Sequence, residues 1–295
     1  MVKATEFRIV SPQLSVFPDE MLPVYLLQGE KNYLVDASVT SRAEALKSAL
    51  KNALADRKLD GILLTHTHYD HLGAVPLIQD CFGCPAFLAK QGRQVLLNPR
   101  AIKLIADLNR EFALQEGLIA PEFSGLGDMI GLEQDSRLDF SRPAEIVVHE
   151  TPGHTRCSIS FLLPESGILF PGDATGIVER SGRHKPLFLS SYKNYLDSLN
   201  RLALLPVDLL ALPHNTPVRG RQAVRDYFDR AREAAERTRE LILEHPGDDR
   251  NLEETAAGLL AIEFNNPALM GSKSAMMINA MAMIKAVRRE FPNQH

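Results

Sequence analysis

Short apolar runs separated by turn residues fill most of the chain up to Pro217, and helical spacing takes over after it. Phe7–Val10, Val24–Gln28 and Tyr33–Asp36 read as strands. From Ser41 to Asp56 the apolar residues Ala45, Leu46, Ala49, Leu50 and Ala53 fall on one face of a helix. The run Gly61-Ile62-Leu63-Leu64 predicts a buried strand that continues to Thr65. Leu72–Ile78 opens a helix, Ala86–Leu88 is a short strand, and residues 90–118 are helical with a break at Asn98-Pro99. Strands resume at Met129–Leu132, Ser136–Phe140, Glu145–Val148, Ser158–Leu163 and Ile168–Pro171. A helix over Tyr192–Leu204 and a strand over Asp208–Leu212 follow. The remainder reads as helices at Gly220–His245, Leu252–Phe264 and Ser274–Phe291, with a loop at Pro246-Gly247-Asp248-Asp249. The order of elements predicts an α/β fold of α+β character, a mixed sheet core covered by helices. A helical addition of about 75 residues follows it.

Composition narrows the function classes. With 295 residues, 45% of them apolar, the chain can bury a large core. The net charge is −4 and no Lys/Arg cluster offers a footprint for nucleic acid. The charges from Arg230 to Arg239 alternate in sign, as on a solvated helix face. The N-terminus lacks an apolar signal core and no apolar run is long enough to cross a membrane, so a soluble cytoplasmic protein is expected. The chain has three cysteines, a poor basis for disulfides. Cys81 and Cys84 read as ordinary thiols, and Cys157 as a small buried strand residue.

Residues 65–73, Thr-His-Thr-His-Tyr-Asp-His-Leu-Gly, change the picture. They place His66, His68, Asp70 and His71 at the end of a buried strand. Side chains two apart in extended chain point the same way, so His66 and His68 can reach one cation together. The turn beyond lets Asp70 and His71 serve a neighbouring position. Such a concentration of polar groups is costly in a core unless something positive binds it. Three more donors stand where other apolar runs stop: His154 in Thr151-Pro152-Gly153-His154, Asp173 after Pro171-Gly172, and His214 after Pro213. Taken singly, each reads as an ordinary structural or turn residue; jointly with the His-x-His-x-Asp-His run they point to a metal centre. His149, His184, His245 and His295 lack such context.

A His-x-His-x-Asp-His motif followed by His154, Asp173 and His214 resembles the hallmark of the metallo-β-lactamase superfamily, over roughly residues 20–218. The resemblance implies a four-layer αββα sandwich at 1–218, carrying the catalytic site, with a C-terminal helical cap at 219–295. It implies two divalent metal ions, zinc by default with iron or manganese as rivals. His66, His68 and His154 would hold the first, Asp70, His71 and His214 the second, and Asp173 would bridge them. Pro213 departs from the glycine that many members carry before the last histidine. True β-lactamases of the superfamily usually have a cysteine where Asp173 stands and are exported, which disfavours antibiotic hydrolysis. Thr67, in place of a glutamate ligand, disfavours flavodiiron chemistry.

Within the superfamily the chain is similar to the PqsE-like and glyoxalase II-like thioesterase groups. The likeness rests on the His68–His71 turn, Asp107-Leu108-Asn109-Arg110, Pro186-Leu187-Phe188 before Tyr195-Leu196-Asp197-Ser198-Leu199, and Arg219-Gly220-Arg221. The expected activity is metal-dependent hydrolysis of a thioester of acyl- or aroyl-CoA type by a metal-bridged hydroxide. Asp70 would accept the proton of the attacking water as the catalytic residue. Metals would polarise the carbonyl. A lactonase or phosphodiesterase of the same fold, or a regulator acting by protein contact, remain alternatives. The partner is a small acyl substrate, with no nucleic acid and no membrane. Met270, Met276, Met277, Met281 and Met283, beside Leu269, Ile278, Ile284 and Val287, read as core packing, an apolar lid, or a homodimer face.

Overall fold

The computed structural model describes residues 6–19, 21–179, 181–244, 251–263 and 272–292. The four-stranded antiparallel start, β1 (Arg8–Ser11), β2 (Leu14–Phe17), β3 (Val24–Gln28) and β4 (Asn32–Val35), is extended in parallel by β5 (Gly61–Leu63), β6 (Ala86–Ala89) and β7 (Met129–Leu132) into one seven-stranded sheet. Helices α1 (Ala43–Leu54), α2 (Tyr69–Leu72), α3 (Val75–Phe82), α4 (Lys90–Leu96) and α5 (Pro99–Gln115) connect these strands. A second, six-stranded sheet has the order β15 (Val218–Arg219), β14 (Leu209–Leu210), β11 (Ile168–Phe170), β10 (Ile159–Leu163), β9 (Ala144–Glu150) and β8 (Arg137–Ser141). Within it only β11 and β14 run parallel.

Alternation along each strand builds the layers. In β3, Val24 and Leu26 join Leu34 of β4 and Ile62 of β5 under α1 and α3. Their neighbours Tyr25, Leu27, Tyr33, Val35 and Leu63 face the other way, into a core shared with Ile159, Phe161, Leu163, Ile168 and Phe170 of the second sheet. Leu162 and Leu169 of that sheet point outward again, into a core shared with α6 (Tyr192–Ala203), α7 (Arg221–Glu244), α8 (Leu252–Glu263) and α9 (Lys273–Glu290). The central strands are apolar on both faces because each face is covered, which is why they read as continuous runs. The result is the αββα sandwich with a helical C-terminal region.

Most elements fall within a residue or two of the sequence reading. Four short strands were not foreseen: β2, the hairpin pair β12 (Ile177–Val178) and β13 (His184–Lys185), and β15. The strand expected at Asp208–Leu212 is shorter, Leu209–Leu210, because the chain leaves the sheet toward His214. Cys157 is buried, but in a turn before β10 rather than in a strand. His245, His295, Leu269, Met270 and the 246–249 loop lie outside the described residues.

The C-terminal helices pack on the sandwich at two places. The Ser272 N–H donates to the Tyr69 hydroxyl (3.3 Å) and the Ser274 N–H to Glu111 (3.1 Å), which ties the start of α9 to α2 and α5. At its far end Glu290 accepts from the Lys193 N–H of α6 (2.9 Å). Thus α9 reaches from one helical layer to the other, past the strand ends that carry the polar cluster. Among the described residues no helix is long and apolar enough to cross a membrane.

Candidate metal centre

Every expected donor stands where a strand gives way to a loop. His66 and His68 follow β5; Asp70 and His71 lie in the single-turn α2; His154 lies in the turn between β9 and β10; Asp173 follows β11; His214 follows β14. Local sequence forces these turns. Gly153 has φ +134°, and a Cβ there would sit 2.2 Å from the Tyr195 Cα, so only glycine lets the His154 turn rest on α6. Gly172 has φ +54° and would press a Cβ to 2.7 Å from the Thr65 side chain, just ahead of Asp173.

The seven side chains converge into two groups: His66, His68, His154 and Asp173 in one, Asp70, His71 and His214 in the other. His154 Nε2 lies 3.2 Å from His66 Nε2 and 2.9 Å from His68 Nδ1. Asp173 stands between the groups. Its Oδ2 is 3.4 Å from His154 Nε2 and 3.9 Å from His66 Nε2. Its Oδ1 is 3.2 Å from His214 Nε2 and 3.4 Å from His71 Nε2. Asp70 Oδ2 approaches the second group at 3.9 Å from His214 Nε2 and 4.0 Å from His71 Nε2.

The far nitrogens of the rings fix their tautomers. His154 Nδ1 lies 2.7 Å from the Leu187 carbonyl and His214 Nδ1 lies 3.0 Å from the Met21 carbonyl; a carbonyl only accepts, so both Nδ1 atoms donate. His71 Nδ1 donates to Asp36 Oδ2 (2.9 Å). His66 Nδ1 donates to Thr65 Oγ1 (3.1 Å), whose own hydroxyl proton goes to Asp36 Oδ2 (2.9 Å). One carboxylate, Asp36, thereby orients two of the rings. It is itself in the left-handed region, φ 56°, a conformation aspartate tolerates. The sequence reading assigned no supporting role at the site to Asp36, Thr65, Met21 or Leu187. The one legible signal was Asp36 itself, an acid at the end of an apolar strand like Asp173.

With their Nδ1 atoms committed, His66 and His154 present lone pairs to each other across 3.2 Å. Neutral imidazoles so placed repel, and one proton on His68 cannot satisfy all three rings. His71 Nε2 and Asp173 Oδ1 are buried with no hydrogen-bond partner. A cation in each group answers both defects, so the donor set fits divalent metal.

The electrostatics separate the two groups. Burial pushes His66 well below its ordinary pKa and His154 down to about 3, so both stay neutral, as ligands must be. His71 moves the other way: burial opposes its charge, but Asp173, Asp36 and Asp70 outweigh it and lift the pKa to about 10. His214 is raised too, where Asp173 overcomes burial. Burial also works against the Asp173 anion, yet His214, His71 and His154 hold its pKa well below the usual carboxylate range.

The donors open onto a cleft of about 2070 Å³. Its walls include Leu108 and Phe112 of α5, Ile177 and Val178 of β12, and Met276, Ala280 and Met283 of α9. His184, which stood without a functional context in the sequence reading, is buried in this wall with its ring 4.7 Å from that of Tyr227. Asn215, next to His214, clamps the hairpin: its Oδ1 accepts from the Val178 N–H (2.9 Å) and its Nδ2 donates to the Val178 carbonyl (2.7 Å).

Comparison with known proteins places this geometry. Residues 20–214 match the profile of the metallo-beta-lactamase superfamily. The metallo-beta-lactamase fold-containing protein ST1585 of Sulfurisphaera tokodaii is 28% identical over 213 residues, 67% of this chain and 74% of the relative. A hydroxyacylglutathione hydrolase of Bartonella tribocorum is 26% identical over 185 residues, 63% of this chain and 59% of that one. The solved structure of a beta-lactamase domain protein from Burkholderia ambifaria shares the fold, with a TM-score of 0.68 at 16% identity over 97% of this chain and 90% of its own. With the profile matched across both sheets and a His/Asp cluster gathered at their strand ends, the chain belongs to the metallo-β-lactamase superfamily of metallo-hydrolases.

Proposed function

We propose that the chain is a binuclear metal-dependent hydrolase that cleaves a thioester. The observation that carries the reading is Asp173, which offers Oδ2 to one donor group and Oδ1 to the other. His66, His68 and His154 would hold one cation, and Asp70, His71 and His214 a second, with Asp173 standing between the two groups. Bound divalent cations supply Lewis acidity: they ionise water near neutral pH and polarise a carbonyl. The chain's own residues do the rest. Asp36 and Thr65 keep the rings of His71 and His66 aimed inward. Asp70, on the cleft side of the second group, accepts the proton of the attacking water. Leu108, Phe112, Ile177, Met276 and Met283 give the cleft an apolar wall suited to an acyl or aromatic group. A thiolate leaves with little need of protonation, which suits a centre whose acid–base groups are taken up as ligands. The hydroxyacylglutathione hydrolase relative, a thioesterase by its name, supports the substrate class. Helices after residue 219 act as a cap over the cleft.

The test is a panel assay of zinc- or iron-loaded protein on thioesters, lactones and phosphodiesters, with Asp70→Asn and Asp173→Ala alongside. Thioester hydrolysis is expected, reduced at least about 100-fold in both variants. Hydrolysis of phosphodiesters or lactones without thioesters would overturn the substrate class. Thioester turnover that survives both variants would overturn the mechanism.

A further inference from the structure

The donors are not equally well held. His66, His71 and His154 have side chains only 0–2% exposed, whereas that of His214 is 16% exposed. Close packing as well as a hydrogen bond fixes each of the first three; His214 depends more on its tether. That tether is the hydrogen bond from its Nδ1 to the Met21 carbonyl, 3.0 Å. Met21 lies outside both sheets, in the turn before β3. One side chain shapes the turn: Asp19 Oδ1 accepts from the N–H groups of Met21 (2.9 Å) and Leu22 (3.1 Å). The other carboxylate oxygen, Asp19 Oδ2, accepts from Arg42 Nε at 3.0 Å. Arg42 then grips Glu116, just past α5, with a two-pronged contact of 2.7 and 2.5 Å. All three side chains of this ion pair network are only 16–18% exposed, so the charge-assisted bonds are poorly screened.

We infer that Asp19 and Arg42 are positioning residues for His214 and thereby set the affinity of the second cation position. A line of hydrogen bonds runs from Glu116 through Arg42, Asp19 and the Met21 carbonyl to the ring of His214. Breaking it frees the carbonyl to move and lets the imidazole rotate away from Asp70 and His71. Of the first donor group only Asp173 touches this line, at His214; the ring of His66 is held by Thr65 and that of His154 by the Leu187 carbonyl. The effect is therefore selective for one of two cations. This rests on the two-cation reading above.

The experiment is titration of chelator-stripped protein with Zn²⁺ against a chromophoric competitor, for the wild type, Asp19→Ala, Arg42→Ala and the gentler Asp19→Asn and Arg42→Lys. Wild-type protein is expected to bind two equivalents. The alanine variants should keep the first at unchanged affinity and bind the second about 10–100-fold more weakly. Asp19→Asn retains an oxygen for the Met21 and Leu22 N–H groups but loses the ion pair, so its loss should be intermediate. Should an alanine variant not fold, its gentler partner carries the same comparison. Two equivalents at wild-type affinity in every variant would overturn the inference. So would equal weakening of both equivalents, which marks a general structural role. A wild-type protein that binds no second equivalent would sink the two-cation reading itself, and with it this inference.

Discussion

At the scale of single residues, Asp36 carries more than any other side chain outside the seven candidate donors. It accepts from His71 directly and from His66 through Thr65, and its Oδ1 also takes the Thr65 N–H at 2.9 Å. Asp36→Asn removes the charge that favours donation by both rings. Affinity for both cations should fall about 10–100-fold, read by chelator competition. The seven donors were legible in the sequence because histidine and aspartate are conspicuous where an apolar run ends. Their supporting atoms were not. Two of the four supports are backbone carbonyls, of Met21 and Leu187, and a carbonyl leaves no mark on residue type. Asp36 reads only as the last residue of a strand until β4 and β5 are paired, because only that register sets it beside Thr65. His184 makes a second residue-scale case. Burial, followed by repulsion from Arg230 and Arg237, pushes its pKa from 6.5 to about 4. The unfolded chain takes up this proton below about 6.5 while the folded chain refuses it until about 4. Stability is thus present above that window and lost as pH falls through it, by about 1–2 kcal/mol after allowance for solvent screening. Urea melts of chelator-stripped protein at pH 7 and pH 4.5 should show a smaller acid loss for His184→Gln than for the wild type.

At the scale of elements, strand ends decide the chemistry and helices hold the ends still. The His154 turn shows the dependence best. Its Gly153 carbonyl accepts from the Ser190 and Ser191 N–H groups and from the Ser190 hydroxyl, which seats the turn on the start of α6. Gly153→Ala combines a forbidden φ with a Cβ overlapping the Tyr195 backbone. It should cost at least about 3 kcal/mol in chemical denaturation, or prevent folding. A change of well under 1 kcal/mol would show that α6 yields easily and that the turn is not fixed by this contact. Long elements with a strong period, such as α1 and α7, were legible from hydrophobic spacing alone. The hairpin β12–β13 was not: two residues per strand carry no period, and its pairing with the Asn215 side chain arises only in the folded chain. β2 was missed for a related reason. Leu-Ser-Val-Phe is four residues long and ends at Pro18, too little to separate from a loop.

At the scale of the whole molecule, donors drawn from both sheets make the metal centre a clasp between the halves of the sandwich. His66, His68, Asp70 and His71 follow a strand of the first sheet, and His154, Asp173 and His214 follow strands of the second. Cations bound only by the folded chain stabilise it by mass action, about 2.7 kcal/mol per site at a hundredfold excess over Kd. Stripping them should lower the Tm by about 5 °C or more in calorimetry, and added Zn²⁺ should restore it. A mixed sheet core under helices was legible because apolar runs buried on both faces are written locally, as are donors at their ends; the four-layer order came only through the family resemblance. The course of α9 across the two helical layers was not, since it depends on contacts such as Ser272 with Tyr69 that join distant segments. The idea on which all of this depends is that two cations sit among these seven side chains. Crystals of zinc-loaded protein, with anomalous scattering collected at the zinc edge, test it at the position itself. Two peaks are expected, one within about 2.0–2.2 Å of ligand atoms from His66, His68 and His154, the other similarly close to Asp70, His71 and His214, with Asp173 touching both. An empty cluster, or a zinc peak held by other residues, would contradict the metal centre and the hydrolase built on it.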